Sequence, residues 1–430
     1  MITPSISLKT PSGPTAAFDG GDQDLLGWLC DNYKRYGDLY RYRSTTLKRD
    51  VYVAFTLEYA YHILRNNWRN YSKGHAFKRI ALLTGKGLIV SDGEFWSRQR
   101  RMVQPAFHRN AVAAWIDVII RVNAGLLKRW NEAAKGGTSV NVTADTSSAV
   151  LEVTVTLIFG DDYDEVAAHF KILSQERLRN LTFAQAVANL RMVVQRVIDR
   201  RRDRDATNSD ILGALMSSRD DLGQPMTDHQ LISEIMTLLV AGHETTANTL
   251  NMMWCLLSQH PDVANRLARD LESLLDYDFT NLDQLSKYVY ARYVIDETLR
   301  LYPPVWLITR RALGDDNLGE YFVPAGAEIF ISPYLIQRRP DIWEEPERFK
   351  PERFDSPTAD GARSVAMLAF SAGPRSCVGE SLARLEMQIH LMIIAQELRL
   401  RYDDKVPMEF EFEVNLRSKH DFVMTPQVRR

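Results

Sequence analysis

Three cysteines in 430 residues (Cys30, Cys255 and Cys377) are too few for a disulfide framework and suit a reducing compartment. Long apolar runs are also missing near the start. Met1 to Gly20 mixes Pro, Ser, Thr and Gly, with nothing close to the roughly 20 apolar residues of a membrane anchor. Charge of one sign is lacking too: 53 basic against 55 acidic residues leave a net charge of −2, with no global pull toward nucleic acid or an anionic membrane. No internal stretch rich in Pro, Gly or Ser forces a division. We therefore expect a flexible N-terminus (residues 1–20) and a single large domain (residues 21–430), cytoplasmic, monomeric and without a membrane anchor.

Against this background one decapeptide stands apart. In Phe370-Ser371-Ala372-Gly373-Pro374-Arg375-Ser376-Cys377-Val378-Gly379 a cysteine follows an arginine by two residues and lies between two glycines. Glycine lets a backbone approach where a Cβ would collide. Ser381 to Leu398 reads as an amphipathic helix, so the Cys377 sulfur lies at a helix N-terminus, where unpaired N–H groups and the dipole favour thiolate. Cys30 and Cys255 have no such setting and read as small buried hydrophobes.

A long helix is expected from Asp228 to His260, opened by a Thr227/Gln230 capping box and stopped by Pro261. Glu234, His243 and Glu244 exclude a membrane span, and His243 reads as solvent-facing. Within this helix, Ala241-Gly242-His243-Glu244-Thr245-Thr246 combines small residues with an acid and an alcohol. Glu297 and Arg300, three apart, share a helix face and can pair. Elsewhere we expect a helix at Asp22–Tyr36, strands at Leu39–Arg43 and Val51–Phe55, a loop at Ser72–Val90, helices at Asp262–Leu275 and Tyr288–Leu301, and a hairpin pairing Tyr321–Val323 with Ile329–Ile331.

The decapeptide matches F-x-x-G-x-R-x-C-x-G, the haem-ligand signature of the cytochrome P450 family, at every fixed position. The acid-alcohol motif about 130 residues earlier, E-x-x-R followed by Leu301-Tyr302-Pro303-Pro304, and a meander carrying Arg353 stand in the family's order. From Trp96 to the C-terminus the chain resembles a soluble, bacterial-type haem-thiolate monooxygenase. The resemblance implies a mostly α fold with small β-sheets and a long central helix over the haem. It implies haem b (iron protoporphyrin IX) as cofactor and dioxygen as co-substrate. Cys377 would ligate iron, with Phe370, Gly373, Arg375, Gly379, Ala241 and Gly242 around the cofactor. Trp96, Arg100, Arg310 and Arg375 would meet the propionates. Thr245 would donate during oxygen activation and Glu244 would feed protons, with water linking the two. Glu297, Arg300 and Arg353 would be structural.

By family position, substrate contacts would come from Phe77 to Val90, Arg177 to Met192, the central helix, Val305 to Ile308 and Phe412 to Leu416. Apolar residues there, including Phe77, Ile80, Leu82, Leu83, Leu238, Val305, Trp306 and Ile308, would select a lipophilic fatty acid, terpenoid or secondary-metabolite scaffold, although each also reads as ordinary core. The chain ends about fifty residues after the cysteine loop, so electrons are expected from a separate ferredoxin or flavodoxin and its reductase. Arg98 and Arg101, with His108 and Arg109, form either its docking face or a solvated basic surface. Two competing readings are a peroxide-using or rearranging enzyme of the same fold, which would be expected to lack the acid-alcohol pair, and a non-catalytic haem-binding protein.

Overall fold

The structure is a computed structural model and describes residues 9–15, 24–175, 181–203, 209–273, 281–355, 367–403 and 407–429. The expected loose segment therefore falls mostly outside the described residues. Residues 9–13 do not hang free: Lys9 bridges to Tyr321, and the Arg41 amide donates to Ser12 O.

The central helix runs Asp228–Gln259, 32 residues or about 48 Å. Its start is set by the capping box: Thr227 accepts from the Gln230 amide while the Gln230 side chain accepts from the Thr227 amide. Around it pack helices Val142–Phe159, Phe77–Thr84, Leu181–Asp203, Val289–Leu301 and Glu380–Glu397. Their apolar faces join one large core that includes Val150, Ile235, Leu250, Ile295 and Leu391. Among the described residues two helical stretches, Arg109–Gly136 and Val142–Ile172, are long and apolar enough to cross a membrane by length and composition. The apolar length of the second is explained by the central helix it packs against.

Among the described residues twelve short strands follow in chain order: β1 (Leu39–Ser44), β2 (Arg49–Ala54), β3 (Tyr71–Lys73), β4 (Val140–Asn141), β5 (Ile308–Ala312), β6 (Asp316–Leu318), β7 (Tyr321–Val323), β8 (Glu328–Ile331), β9 (Leu398–Tyr402), β10 (Phe410–Phe412), β11 (Leu416–Ser418) and β12 (Val423–Val428). The main sheet has the order β1-β2-β8-β5-β3, with β2 and β8 parallel and the other pairs antiparallel.

Two expectations fail here. β7 and β8 do not form a hairpin: β7 pairs β6, while β8 inserts between β2 and β5, where Ile329 and Ile331 are fully buried. A strand with both edges taken has no edge left for its sequence neighbour. Residues 72–90 are not a loop throughout, because β3 and the helix Phe77–Thr84 lie within them.

Candidate active site

The cysteine loop is shaped by the polypeptide before any ligand is considered. Gly373 has φ +72°, and a Cβ there would lie 2.2 Å from Leu64 O and 2.8 Å from Arg65 Cα, so only glycine lets the loop dock on residues 62–66. Gly379 has ordinary backbone angles, and its Cβ would meet only Phe107 at 3.9 Å. The loop is closed by the Cys377 amide donating to Phe370 O at 2.9 Å, and Arg100 Nη1 donates to Ser376 O at 2.8 Å from the facing helix Gly93–Val103.

Cys377 is exposed by surface area, yet burial is the leading cause that pushes its thiol pKa up. The surface it presents therefore faces an internal cleft and not bulk water. The sequence placed a thiolate here by virtue of the helix N-terminus. The helix begins at Glu380, and desolvation outweighs the Gly379 amide and Arg100, so in the polypeptide alone the thiol form is favoured. A ligating thiol is deprotonated by the metal it binds.

Beside the cysteine lies a concentration of positive charge. Arg375 is wedged between Trp68 and Trp96, with its guanidinium 5.2 and 5.5 Å from their ring centres, and it pairs with Asp92 at 2.8 Å. It also donates to the carbonyls of Tyr71 and Trp68. Arg310 on β5 is 3% exposed, and its register partner on β3 is Lys73. Burial, then Arg375, lowers the Arg310 pKa to about 10. Burial, then Arg310 and Arg375, drives Lys73 well below its ordinary value. Three basic groups, Arg375, Arg310 and Lys73, thus share Asp92, and a fourth, Arg100, acts on Lys73. A recess of about 630 Å³, whose walls include Lys73, Asp92, Phe77 and Arg311, adjoins this cluster.

In the middle of the central helix, Thr245 Oγ1 donates to Ala241 O at 2.8 Å, and Glu244 Oε2 accepts from Asn415 Nδ2 at 2.9 Å. The two side chains do not bond each other. A Cβ on Gly242 would meet Thr154 of helix Val142–Phe159 at 3.4 Å from its Cγ2, an ordinary contact distance, so packing against that helix does not by itself require glycine. His243 is not solvent-facing: it is 7% exposed, its Nε2 lies 3.0 Å from both Ser147 O and Oγ, and its ring meets Phe170 edge-on. Burial lowers its pKa.

Behind the cysteine loop, Arg300 Nε and Nη2 donate to Glu297 at 2.7 and 2.9 Å, and Arg353 Nε donates to Glu297 Oε1 at 2.9 Å. Gln337 ties this group onward, donating to the carbonyls of Leu299 and Arg300 while accepting the Leu368 amide at 2.6 Å, two residues before Phe370.

A sequence profile described as Cytochrome P450 matches residues 18–194 and 168–427. The chain belongs to the cytochrome P450 family. It is 31% identical over 433 residues to cyclooctat-9-en-7-ol 5-monooxygenase of Streptomyces melanosporofaciens, covering 93% of both chains. It is 28% identical to pentalenene oxygenase of Streptomyces avermitilis, covering 85% of this chain and 84% of that one. In fold it matches the retinoic acid-bound cyanobacterial CYP120A1 with a TM-score of 0.86 and 22% identity, covering 98% of this chain and all of that one. It also matches the cytochrome P450DA heme domain with a TM-score of 0.84 and 22% identity, over 98% of each chain. The protein is a cytochrome P450 monooxygenase, with haem as cofactor and dioxygen as co-substrate.

The residues of this P450 fit that cofactor. A soft thiol donor sits in an internal cleft, and the neighbouring cations outnumber the carboxylate among them, as a group bearing two propionates requires. Lys73 and Asp92 were missed in the sequence because neither lies in a motif; only the pairing of β3 with β5 brings Lys73 to Arg310.

Two other sequence expectations change. Trp306 is 2% exposed and donates to Glu413 O at 2.9 Å, which makes it core and not lining. Arg98 is held by Asp220 at 2.6 Å and by Pro225 O, so it clamps the 220–225 turn and does not project for docking. The expected contacts at residues 176–180 lie outside the described residues.

Proposed function

We propose that this P450 oxygenates a lipophilic terpenoid scaffold, using electrons from a separate ferredoxin or flavodoxin. The substrate class rests on the relatives: the names of cyclooctat-9-en-7-ol 5-monooxygenase, cyclooctatin synthase and pentalenene oxygenase point to cyclic terpenoid chemistry, and these three stand among the similar proteins. The half-buried Leu238 on the central helix packs against the large core and leaves part of its apolar side chain uncovered, which supports an apolar ligand.

The geometry supports the following roles. Cys377 would ligate the iron; Arg100, Arg310, Arg375 and Lys73 would hold the propionates; Trp96 shelters Arg375 from solvent. Bound haem supplies iron that activates dioxygen, and a proximal thiolate favours O–O cleavage. Thr245, whose hydroxyl is held by Ala241 O, presents that hydroxyl at the middle of the central helix, and Glu244 carries protons toward it. Glu297, Arg300, Arg353 and Gln337 keep the cysteine loop in place.

The observation that carries the monooxygenase reading over a peroxide-using one is the Glu244-Thr245 pair, both half-buried at mid-helix. The test is a spectral binding screen of the ferric protein against cyclic terpenes, terpene alcohols and fatty acids, followed by product analysis with a ferredoxin system. A terpene product heavier by one oxygen atom is expected. Fatty acid products alone would overturn the substrate class, and turnover driven by peroxide but not by reduced ferredoxin would overturn the electron route.

A further inference from the structure

The β10–β11 hairpin is fastened on two sides. Toward the central helix, Asn415 Nδ2 donates to Glu244 Oε2 at 2.9 Å, and one turn later Asn248 Nδ2 donates to Leu416 O at 3.4 Å. Toward the segment that leads into β5, the Leu416 amide donates to Pro304 O at 2.8 Å and Trp306 Nε1 donates to Glu413 O at 2.9 Å. The Trp306 ring meets Phe412 edge-on at 5.3 Å. The three-residue turn 413–415 and the first residue of β11 therefore join the acid of the central helix to residues 304–306, which run into Ile308.

The chemistry of this contact is specific. Arg417, the nearby cation, is engaged with Glu411 and Glu413. Among the described residues Asn415 supplies the side-chain donor to Glu244, and it is a neutral amide on a turn fastened at both ends. A glutamate has three rotatable bonds, and an amide donor on one oxygen fixes the carboxylate while the second oxygen stays available for a proton.

We propose that Asn415 is a positioning residue that fixes the Glu244 carboxylate for proton delivery, and that the hairpin couples this carboxylate to the Pro304–Ile308 segment. The proposal rests on the reading of Glu244 as the proton carrier. A ligand that displaces residues 304–308 then moves Glu413 and Leu416, and through Asn415 it moves the acid. Proton delivery is thereby made sensitive to what is seated beside the segment.

The test combines hydrogen–deuterium exchange over residues 408–418 of the ferric haem protein with the ratio of oxygenated product to reduced cofactor consumed. Asn415→Asp keeps the side-chain shape and removes the donor. It should speed exchange at residues 413–418 by about 10- to 100-fold, the worth of a hydrogen bond to a charged group. Coupling should fall while haem content stays unchanged. The reciprocal swap Glu244→Gln with Asn415→Asp restores one hydrogen bond with its polarity reversed. It should recover slow exchange without recovering coupling. Wild-type exchange and coupling in Asn415→Asp would overturn the positioning role, and fast exchange persisting in the swap would overturn the bond as the link. Full coupling in Glu244→Gln alone would overturn the reading of Glu244 itself, which the exchange data report separately.

Discussion

Glu297 and Arg353, 56 residues apart, meet at a single carboxylate oxygen: Arg353 Nε donates to Oε1 at 2.9 Å while Arg300 grips both oxygens of the same carboxylate. Glu297 and Arg300 have no solvent exposure. Breaking a buried pair from one side leaves an unmatched charge, worth about 3–5 kcal/mol, and here two guanidinium groups would be left. Glu297→Gln should therefore lower unfolding stability by about that amount and reduce haem content. Arg353→Lys, which keeps the charge but loses the donors to the carbonyls of Glu344, Glu345 and Arg348, should cost less. Denaturant titration checks both, and an unchanged midpoint in Glu297→Gln would show that the network does not hold the fold.

Stability should fall as pH rises from mildly acidic to mildly alkaline. Burial raises the carboxyl of Glu234 to about 7 and that of Glu386 to about 8, both from 4.5. Each holds its proton longer folded than unfolded, so the stability it carries is complete below about pH 4.5 and is lost as pH climbs through about 7 and about 8 respectively. Among the described residues Glu386 Oε1 has no hydrogen-bond partner, which makes Glu386→Gln the cleaner variant. It should flatten the decline, raising the thermal midpoint at pH 8.5 relative to wild type and leaving it nearly unchanged at pH 4.5.

Removing one cation from the cluster should weaken haem retention and at the same time relax the haem-free chain. Lys73→Met and Arg310→Met each delete a desolvated charge beside Arg375. A charge-assisted hydrogen bond is worth roughly 1.5–3 kcal/mol, so haem transfer to apomyoglobin should speed by about 10- to 100-fold. The thermal midpoint of the haem-free variants should rise or hold. Haem loss at the wild-type rate from both variants would place the propionates elsewhere.

Thr245→Ala separates oxygen activation from cofactor binding. Its hydroxyl bonds Ala241 O within the helix and, among the described residues, anchors none of the tertiary hydrogen bonds, so haem content should survive. Positioned acid catalysis is worth about 10²- to 10⁴-fold, and electrons should escape as hydrogen peroxide in place of product. Unchanged coupling would make the motif structural.

Redox-partner docking should depend on Arg101 and Arg109, whose side chains are 54% and 69% exposed. Charge reversal at both should slow reduction by an acidic ferredoxin, most at low salt, without changing substrate binding. Reversal of Arg98 should lower stability by freeing Asp220. Equal reduction rates in the Arg101/Arg109 variant would move the docking face elsewhere.

The parts of the site that could be read from the sequence are those where neighbouring residues spell the chemistry: the cysteine loop, Glu244-Thr245 and Glu297-x-x-Arg300. What could not be read are single residues delivered by distant pairing. Lys73 arrives through β3–β5 register, Gln337 through a short helical turn, and Asn415 through a hairpin tip, and none carries a local pattern. His243 was misplaced for a related reason. A polar residue on a mostly apolar helix looks solvent-bound until a partner such as Ser147 on another helix is known. The supposed β7–β8 hairpin failed because strand proximity in sequence says nothing about which edges a sheet has already filled.

The wiring of the cysteine loop also sets when the site can exist. Arg375 donates to the carbonyls of Trp68 and Tyr71, 307 and 304 residues earlier, and Arg100 donates to Ser376 O, 276 residues later. Gly373 rests on Leu64 and Arg65. Contacts of such sequence separation form late, after the entropy of closing the intervening chain has been met. On the ribosome, the N-terminal sheet and the helix bearing Trp96 must wait for almost the whole polypeptide to emerge before the binding pocket closes. Cofactor capture is thus a final checkpoint of synthesis, and a chain released before Cys377 would have a complete main sheet and central helix but no place to hold haem.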